Sequence, residues 1–149
     1  IAVLSLDTNL LFEACESSTR RHARAVAFLR EQAHNHDLAL CELVLAELYV
    51  LLRNPALSRS PLGAPEAAAV IQSFRSNPAW RLIDYPGTGS GLADDLWQRV
   101  ARPQTPYRTL FDARLALTLR HHGVTELATR NTKDFQDYGF TRAWDPLEE

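Results

Sequence analysis

The stretch VLSLDTNLLF, Val3 to Phe12, decides how the rest of the chain is read. A short, mostly apolar run of this kind suits a buried parallel strand. It leads straight into Asp7, and apolar residues resume after it. A carboxylate at that junction sits near buried surface, where an unpaired charge is expensive. In open parallel sheets the same position, outside the carboxyl end of a strand, is where ligands bind. Asp7 is therefore either the N-cap of the next helix, a role Asp fills well, or a residue placed to hold something.

The pattern repeats along the chain. Strands are expected at Ala2–Leu6, Leu38–Cys41, Trp80–Tyr85, Glu126–Thr129 and Thr141–Trp144. Between them, helices are expected at Thr8–Glu16, Thr19–His34, Glu42–Arg53, Glu66–Ser76, Leu92–Arg102 and from Thr109 to near Gly123. Residues Asn54 to Pro65 include three prolines, a glycine and two serines and read as a loop. Strands alternating with helices predict one α/β domain over residues 1–149, with a central, mainly parallel sheet of four to five strands. No repeat or linker divides it.

Composition sets the class. The chain of 149 residues is 46% hydrophobic and 23% charged, as an ordinary globular domain is. No apolar run approaches the roughly 18 residues that span a bilayer, so no membrane role is expected. There is no signal-peptide pattern in a chain that begins at Ile1, and the expected location is the cytoplasm. Cys15 and Cys41, the only cysteines, read there as buried thiols. The net charge of -2 does not advertise a nucleic-acid binder, although fifteen of the sixteen basic residues are Arg, the side chain that best matches phosphate.

Three more acids need explaining. Glu47 has Leu43, Val50 and Leu51 as its helical neighbours, which puts a carboxylate on a stripe expected to face the core. An ion pair with an Arg at the stripe's edge is the structural alternative. Asp112 has Leu115, Ala116 and Leu119 beside it, near a helix start where the dipole favours negative charge. Asp134 follows the fourth strand in LATRNTKDF and by itself would be a turn or cap residue. A parallel sheet brings the ends of its strands to one edge, and with them these acids. Crowded carboxylates repel and raise one another's pKa values. A divalent cation removes the conflict, and oxygen-only ligation selects Mg²⁺ or Mn²⁺ over zinc. A water on such a metal is a ready nucleophile for phosphodiester hydrolysis.

Together, DTNLL at 7–11, the acid of LVLAELY at 43–49, FDARLALTL at 111–119 and ATRNTKDF at 128–135 resemble the PIN-domain nucleases. Within that family the compact length resembles the VapC-type toxins of toxin–antitoxin pairs. The resemblance implies a three-layer α/β/α fold and a metal-dependent endoribonuclease that hydrolyses structured RNA such as tRNA or rRNA loops. Carried over by position, Asp7, Glu47, Asp112 and Asp134 are the acids around Mg²⁺, with Mn²⁺ as a substitute, and Asp7 and Asp112 are the principal ligands. Thr8, Asn9, Thr129 and Asn131 match positions that orient ligands or touch phosphate. Many relatives carry an acid where Asn131 stands. The implied partners are an RNA substrate, a VapB-like antitoxin and a second copy in a homodimer.

Arg108, Arg114, Arg130 and Lys133 flank the acids as candidate phosphate contacts. HNHD at 34–37 lacks the framework of a His-metal nuclease and reads as a polar helix end, and His121 and His122 read as helix C-terminal residues. Trp80, Trp97 and Trp144 read as core or interface. The other readings are a non-toxin PIN nuclease of RNA processing, a catalytically silent PIN-fold binding module, and a phosphoacceptor receiver-like domain. The last needs an acidic pair at the first strand, where Asp7 is followed by Thr8 and Asn9.

Overall fold

The structure, a computed structural model, describes residues 1–148; residue 149, the end of the expected domain, lies outside the described residues. Among the described residues are five strands and six α-helices, in the order β1 (Leu4–Leu6), α1 (Thr8–Cys15), α2 (His22–Gln32), β2 (Ala39–Cys41), α3 (Glu42–Arg53), α4 (Ala64–Arg75), β3 (Arg81–Ile83), α5 (Leu92–Val100), α6 (Thr109–His121), β4 (Glu126–Ala128) and β5 (Arg142–Trp144). All pairings are parallel, as expected. β1, β4 and β5 form one ladder and β2 and β3 another. A bridge between Leu4 and Leu38 joins the two, with Leu4 N donating to Asp37 O at 2.9 Å. The spatial order is thus β3-β2-β1-β4-β5, and β1 lies at the centre.

That order dictates the layers. Parallel crossovers are right-handed, so the steps β1 to β2 to β3 lay α1–α4 on one face. The return from β3 to β4 lays α5 and α6 on the other. In accord, α1 packs on α2 and α3, α3 on α4, and α5 on α6. The core between the layers is largely leucine: Leu6, Leu10, Leu11, Leu40, Leu45, Leu48, Leu119 and Leu127 are completely or almost completely buried. Each such side chain stabilises the fold by roughly 1.5–3 kcal/mol relative to exposure.

The strands are shorter than expected, three residues each, because the flanking residues turn away into loops and caps. Helix α4 begins at Ala64, inside the expected loop, since Pro65 lies in the first turn, where its missing N–H costs nothing. Helix α6 is closed just beyond its last residue by Gly123, whose φ of 84° suits a residue without Cβ, and Val124 N bonds back to Leu119 O at 3.0 Å. Residues 35–37 form a turn in which Asp37 N donates to Asn35 Oδ1. Trp80 joins the core and Trp144 packs against it, whereas Trp97 is 59% exposed. Both cysteines are free thiols, Cys41 buried and Cys15 partly so, and burial pushes the Cys15 thiol up to about 11. No helix among the described residues is long and apolar enough to cross a membrane.

Candidate active site

Asp7 ends up at the carboxyl edge of the central strand and is almost fully buried. Its Oδ1 accepts the Thr8 N–H at 2.8 Å, capping α1, and its Oδ2 accepts the Thr129 hydroxyl at 2.6 Å. Both roles weighed from the sequence are thus compatible, because the cap uses one oxygen lone pair and leaves others facing the cleft. Thr129, fully buried just past β4, also accepts the Asn131 N–H at 3.0 Å. Thr8 is buried, with its hydroxyl 3.4 Å from Val44 O. Asn9 Oδ1 accepts the Arg130 N–H at 3.2 Å and ties the start of α1 to the loop after β4.

Two adjoining cavities open at this edge. One, about 390 Å³, is lined by Asp7, Thr8, Asn9, Glu47, Val50, Leu51, Asp112 and Asn131. The other, about 420 Å³, is lined by Leu43, Glu47, Arg108, Phe111, Asp112, Asn131 and Asp134. Glu47, Asp112 and Asn131 belong to both, so the four acids share one cleft. They arrive from four segments: the end of β1, the middle of α3, the first turn of α6 and the 3₁₀ turn Thr132–Phe135 after β4.

The acids disturb one another as like charges must. Burial raises the Asp7 carboxyl above its usual value, with Asp134 adding to the rise and the Thr129 and Thr8 hydrogen bonds opposing it. Glu47 is pushed up to about 7, by burial of its carboxyl in the cleft and then by Asp7 and Asp112. Asp112 is pushed up to about 6, by burial and then by Asp134 and Asp7. Among the described residues none of the four is in an ion pair.

One expectation needs correcting. The stripe of α3 that carries Glu47 does not face the core: the core side is Val44, Leu45, Leu48 and Leu52. Leu43, Glu47, Val50 and Leu51 form the cleft wall, with Val50 61% exposed. Asp112, in contrast, adjoins the buried residues Leu115, Ala116 and Leu119, as its spacing implied.

The basic residues diverge. Arg108 lines the cleft beside Asp112 and Asp134. Arg130 turns away from it: Nη1 contacts Glu13 at 2.9 Å and Nε contacts Asp145 at 2.7 Å. This clamp between α1 and the end of β5 had no pattern in the sequence, since its members are far apart in the chain. Phe111, exposed on the cleft wall, was also missed, although its place directly before Asp112 was a usable clue.

Among the described residues no three His, Cys, Asp or Glu side chains stand close enough to enclose a metal by themselves. The donor set nonetheless fits a hard, hydrated cation. It is all oxygen and carries unpaired, mutually repelling charge, and Mg²⁺ is commonly held by one or two carboxylates with waters completing its shell.

A parallel sheet with these acids at its carboxyl edge defines the class, and residues 4–141 match the PIN domain family: the chain belongs to it. Among curated relatives it is 51% identical over 145 residues to Ribonuclease VapC24 of Mycobacterium tuberculosis, in strains CDC 1551 and H37Rv, and the match covers 97% of each chain. Solved structures of like fold include the Mycobacterium tuberculosis toxin VapC20, described as cleaving the sarcin–ricin loop, at TM-score 0.66 and 19% identity, covering 93% of this chain and 96% of that one. Another is the DNA-bound VapBC complex of Salmonella typhimurium, at TM-score 0.65 and 18% identity, covering 98% and 99%.

Proposed function

We propose that this protein is a metal-dependent endoribonuclease and the toxin of a VapBC-type pair, acting in the cytoplasm on structured RNA. The observation that carries this reading is the cleft itself, where four carboxylates, without ion pairs among the described residues, converge from four segments. The identity to a named ribonuclease along almost the whole chain supports it independently.

Asp7, Glu47, Asp112 and Asp134 are the groups that would hold Mg²⁺ or Mn²⁺, with Asp7 and Asp112 as principal ligands. Such a metal, when bound, activates water and offsets charge on the phosphate. Thr129 and Thr8 orient Asp7 through the hydrogen bonds described above. Glu47, pushed up to about 7 by burial and by Asp7 and Asp112, is an acid whose charged form a bound cation would restore. Asn9, Asn131 and Arg108 border the space for the substrate phosphate. Arg130 serves that space indirectly, by holding the loop that carries Asn131.

A VapB-like antitoxin would lay an amphipathic helix beside the cleft, against α3, α4 and the loop of residues 54–65, where Val50 and Leu57 are exposed. The expected complex is a hetero-oligomer built on a toxin homodimer. The direct test is cleavage of structured RNA by purified protein with Mg²⁺ or Mn²⁺. Cleavage is expected to stop in excess EDTA; full turnover in EDTA would refute the metal mechanism.

A further inference from the structure

Beside the acidic cleft lies another cavity, about 310 Å³, between the first turns of α3, the middle of α6 and the end of β3. Leu43 borders both, so the two spaces adjoin at that residue. In this second cavity the Arg114 guanidinium lies 3.9 Å from the centre of the Tyr85 ring. Among the described residues the Arg114 side chain makes no ion pair or hydrogen bond, so the ring face is its support. Glu42 and Asp84 line the same space. Glu42 Oε1 accepts from Arg75 Nε at 2.8 Å and Asp84 Oδ1 from Tyr85 N at 2.7 Å. Each carboxylate keeps its second oxygen without a hydrogen bond among the described residues.

A flat ring and a flat cation edged by acceptors suit a nucleobase. Bases splayed from single-stranded RNA stack on aromatic rings and guanidinium planes and hydrogen-bond through their edges. An ionised carboxylate only accepts, so this rim favours a base edge rich in donors. Guanine offers a ring N–H and an exocyclic amine side by side, in register with a single carboxylate. Adenine turns a ring acceptor to the same oxygens. Resting on the RNA-cleaving reading above, we propose that this cavity is a guanine subsite for a nucleotide neighbouring the bond that is cut. Tyr85 and Arg114 provide the stacking surface, and Asp84, the more exposed acid, reads the base.

The test uses short single-stranded RNAs in Mg²⁺, with one guanine stepped along the sequence and adenine as its replacement. At one fixed offset from the cut, the wild type should favour guanine in kcat/KM by about tenfold or more, as a good bidentate base contact does. Asp84→Asn, which keeps an acceptor for Tyr85 N, and Tyr85→Ala should both bring that ratio near one. Tyr85→Phe should preserve it. A wild type without the preference, or variants that retain it, would overturn the subsite while leaving the nuclease assignment intact. If the wild type cuts neither these RNAs nor structured RNA with Mg²⁺ or Mn²⁺, the nuclease assignment falls and the cavity is decided by binding alone. Tyr85 ring resonances that shift with guanosine 5′-monophosphate but not with adenosine 5′-monophosphate would uphold the subsite, and equal or absent shifts would overturn it.

Discussion

Asp7 does two jobs because its two oxygens have different neighbours. Oδ1 caps α1 and Oδ2 holds the Thr129 hydroxyl, which is itself fixed by Asn131 N–H. Asp7→Asn keeps an oxygen for the cap but removes charge from the cleft. We expect stability within about 1 kcal/mol of wild type by urea unfolding, since Asn caps as well as Asp, with RNA cleavage reduced by a hundredfold or more. Asp7→Ala should lose about 0.5–2 kcal/mol as well. A second expectation follows from Glu47 and Asp112, whose carboxyls ionise at about 7 and about 6 in the fold, above their ordinary values. The folded protein then binds more protons than the unfolded chain across that interval, so metal-free stability falls as pH rises from about 4 to about 7 and levels off above. Mg²⁺ should flatten this slope by favouring the ionised forms. Thermal unfolding across pH, with and without metal, measures both effects; a metal-free Tm that climbs over this range contradicts the crowding of the acids.

At the scale of elements, α3 shows how the cleft is made. Its sequence ELVLAELYVLLR is apolar over more than half its circumference, so one stripe enters the core while the neighbouring stripe remains to build the cleft wall. The loop after β4 is held differently, by Arg130 between Glu13 and Asp145. The Asp145 side chain is only 6% exposed, so removing its cation leaves a poorly hydrated charge. Arg130→Ala should therefore cost about 2–4 kcal/mol, near the range for a broken buried pair. Restoring stability with a stabilising osmolyte at constant salt should recover much of the RNA binding, measured by anisotropy on the Asp7→Asn background. A variant of normal stability but lost binding would instead make Arg130 a direct phosphate contact. Glu16 gives a parallel case at the end of α1, where the Ser18 and Ser58 hydroxyls hold its carboxyl below the usual range and anchor the following loop.

At the scale of the whole molecule, the strand order β3-β2-β1-β4-β5 brings the ends of β1 and β4 side by side. Helices from opposite faces then deliver Glu47 and Asp112 to the same edge. A cleft so open needs a guardian in the cell if its chemistry is that of a toxin. Expression of this chain alone should arrest growth, and coexpression of its antitoxin or the substitution Asp112→Ala should relieve the arrest. Arrest that survives Asp112→Ala would place the toxicity outside this site. No arrest would favour a PIN nuclease of RNA processing.

The sequence by itself determined the parallel α/β fold, the existence and order of its elements, and which carboxylates stood where charge is costly. Those properties are local: hydrophobic period, punctuation by Pro and Gly, and the position of an acid at a strand end or on an apolar stripe. Three things were decided only by the tertiary structure. One was which stripe of α3 faced the core, because a helix apolar on most sides has no unique inner face until its neighbours pack. Another was the fate of Arg130, because a guanidinium turned toward the cleft acids and one clamped between Glu13 and Asp145 look alike in a linear chain. The last was the junction of Tyr85, Arg114, Glu42 and Asp84, residues from three elements that meet because the return crossover from β3 lays α6 beside the start of α3. Contacts of that kind arise from packing across long chain separations, and no local pattern of residues encodes them.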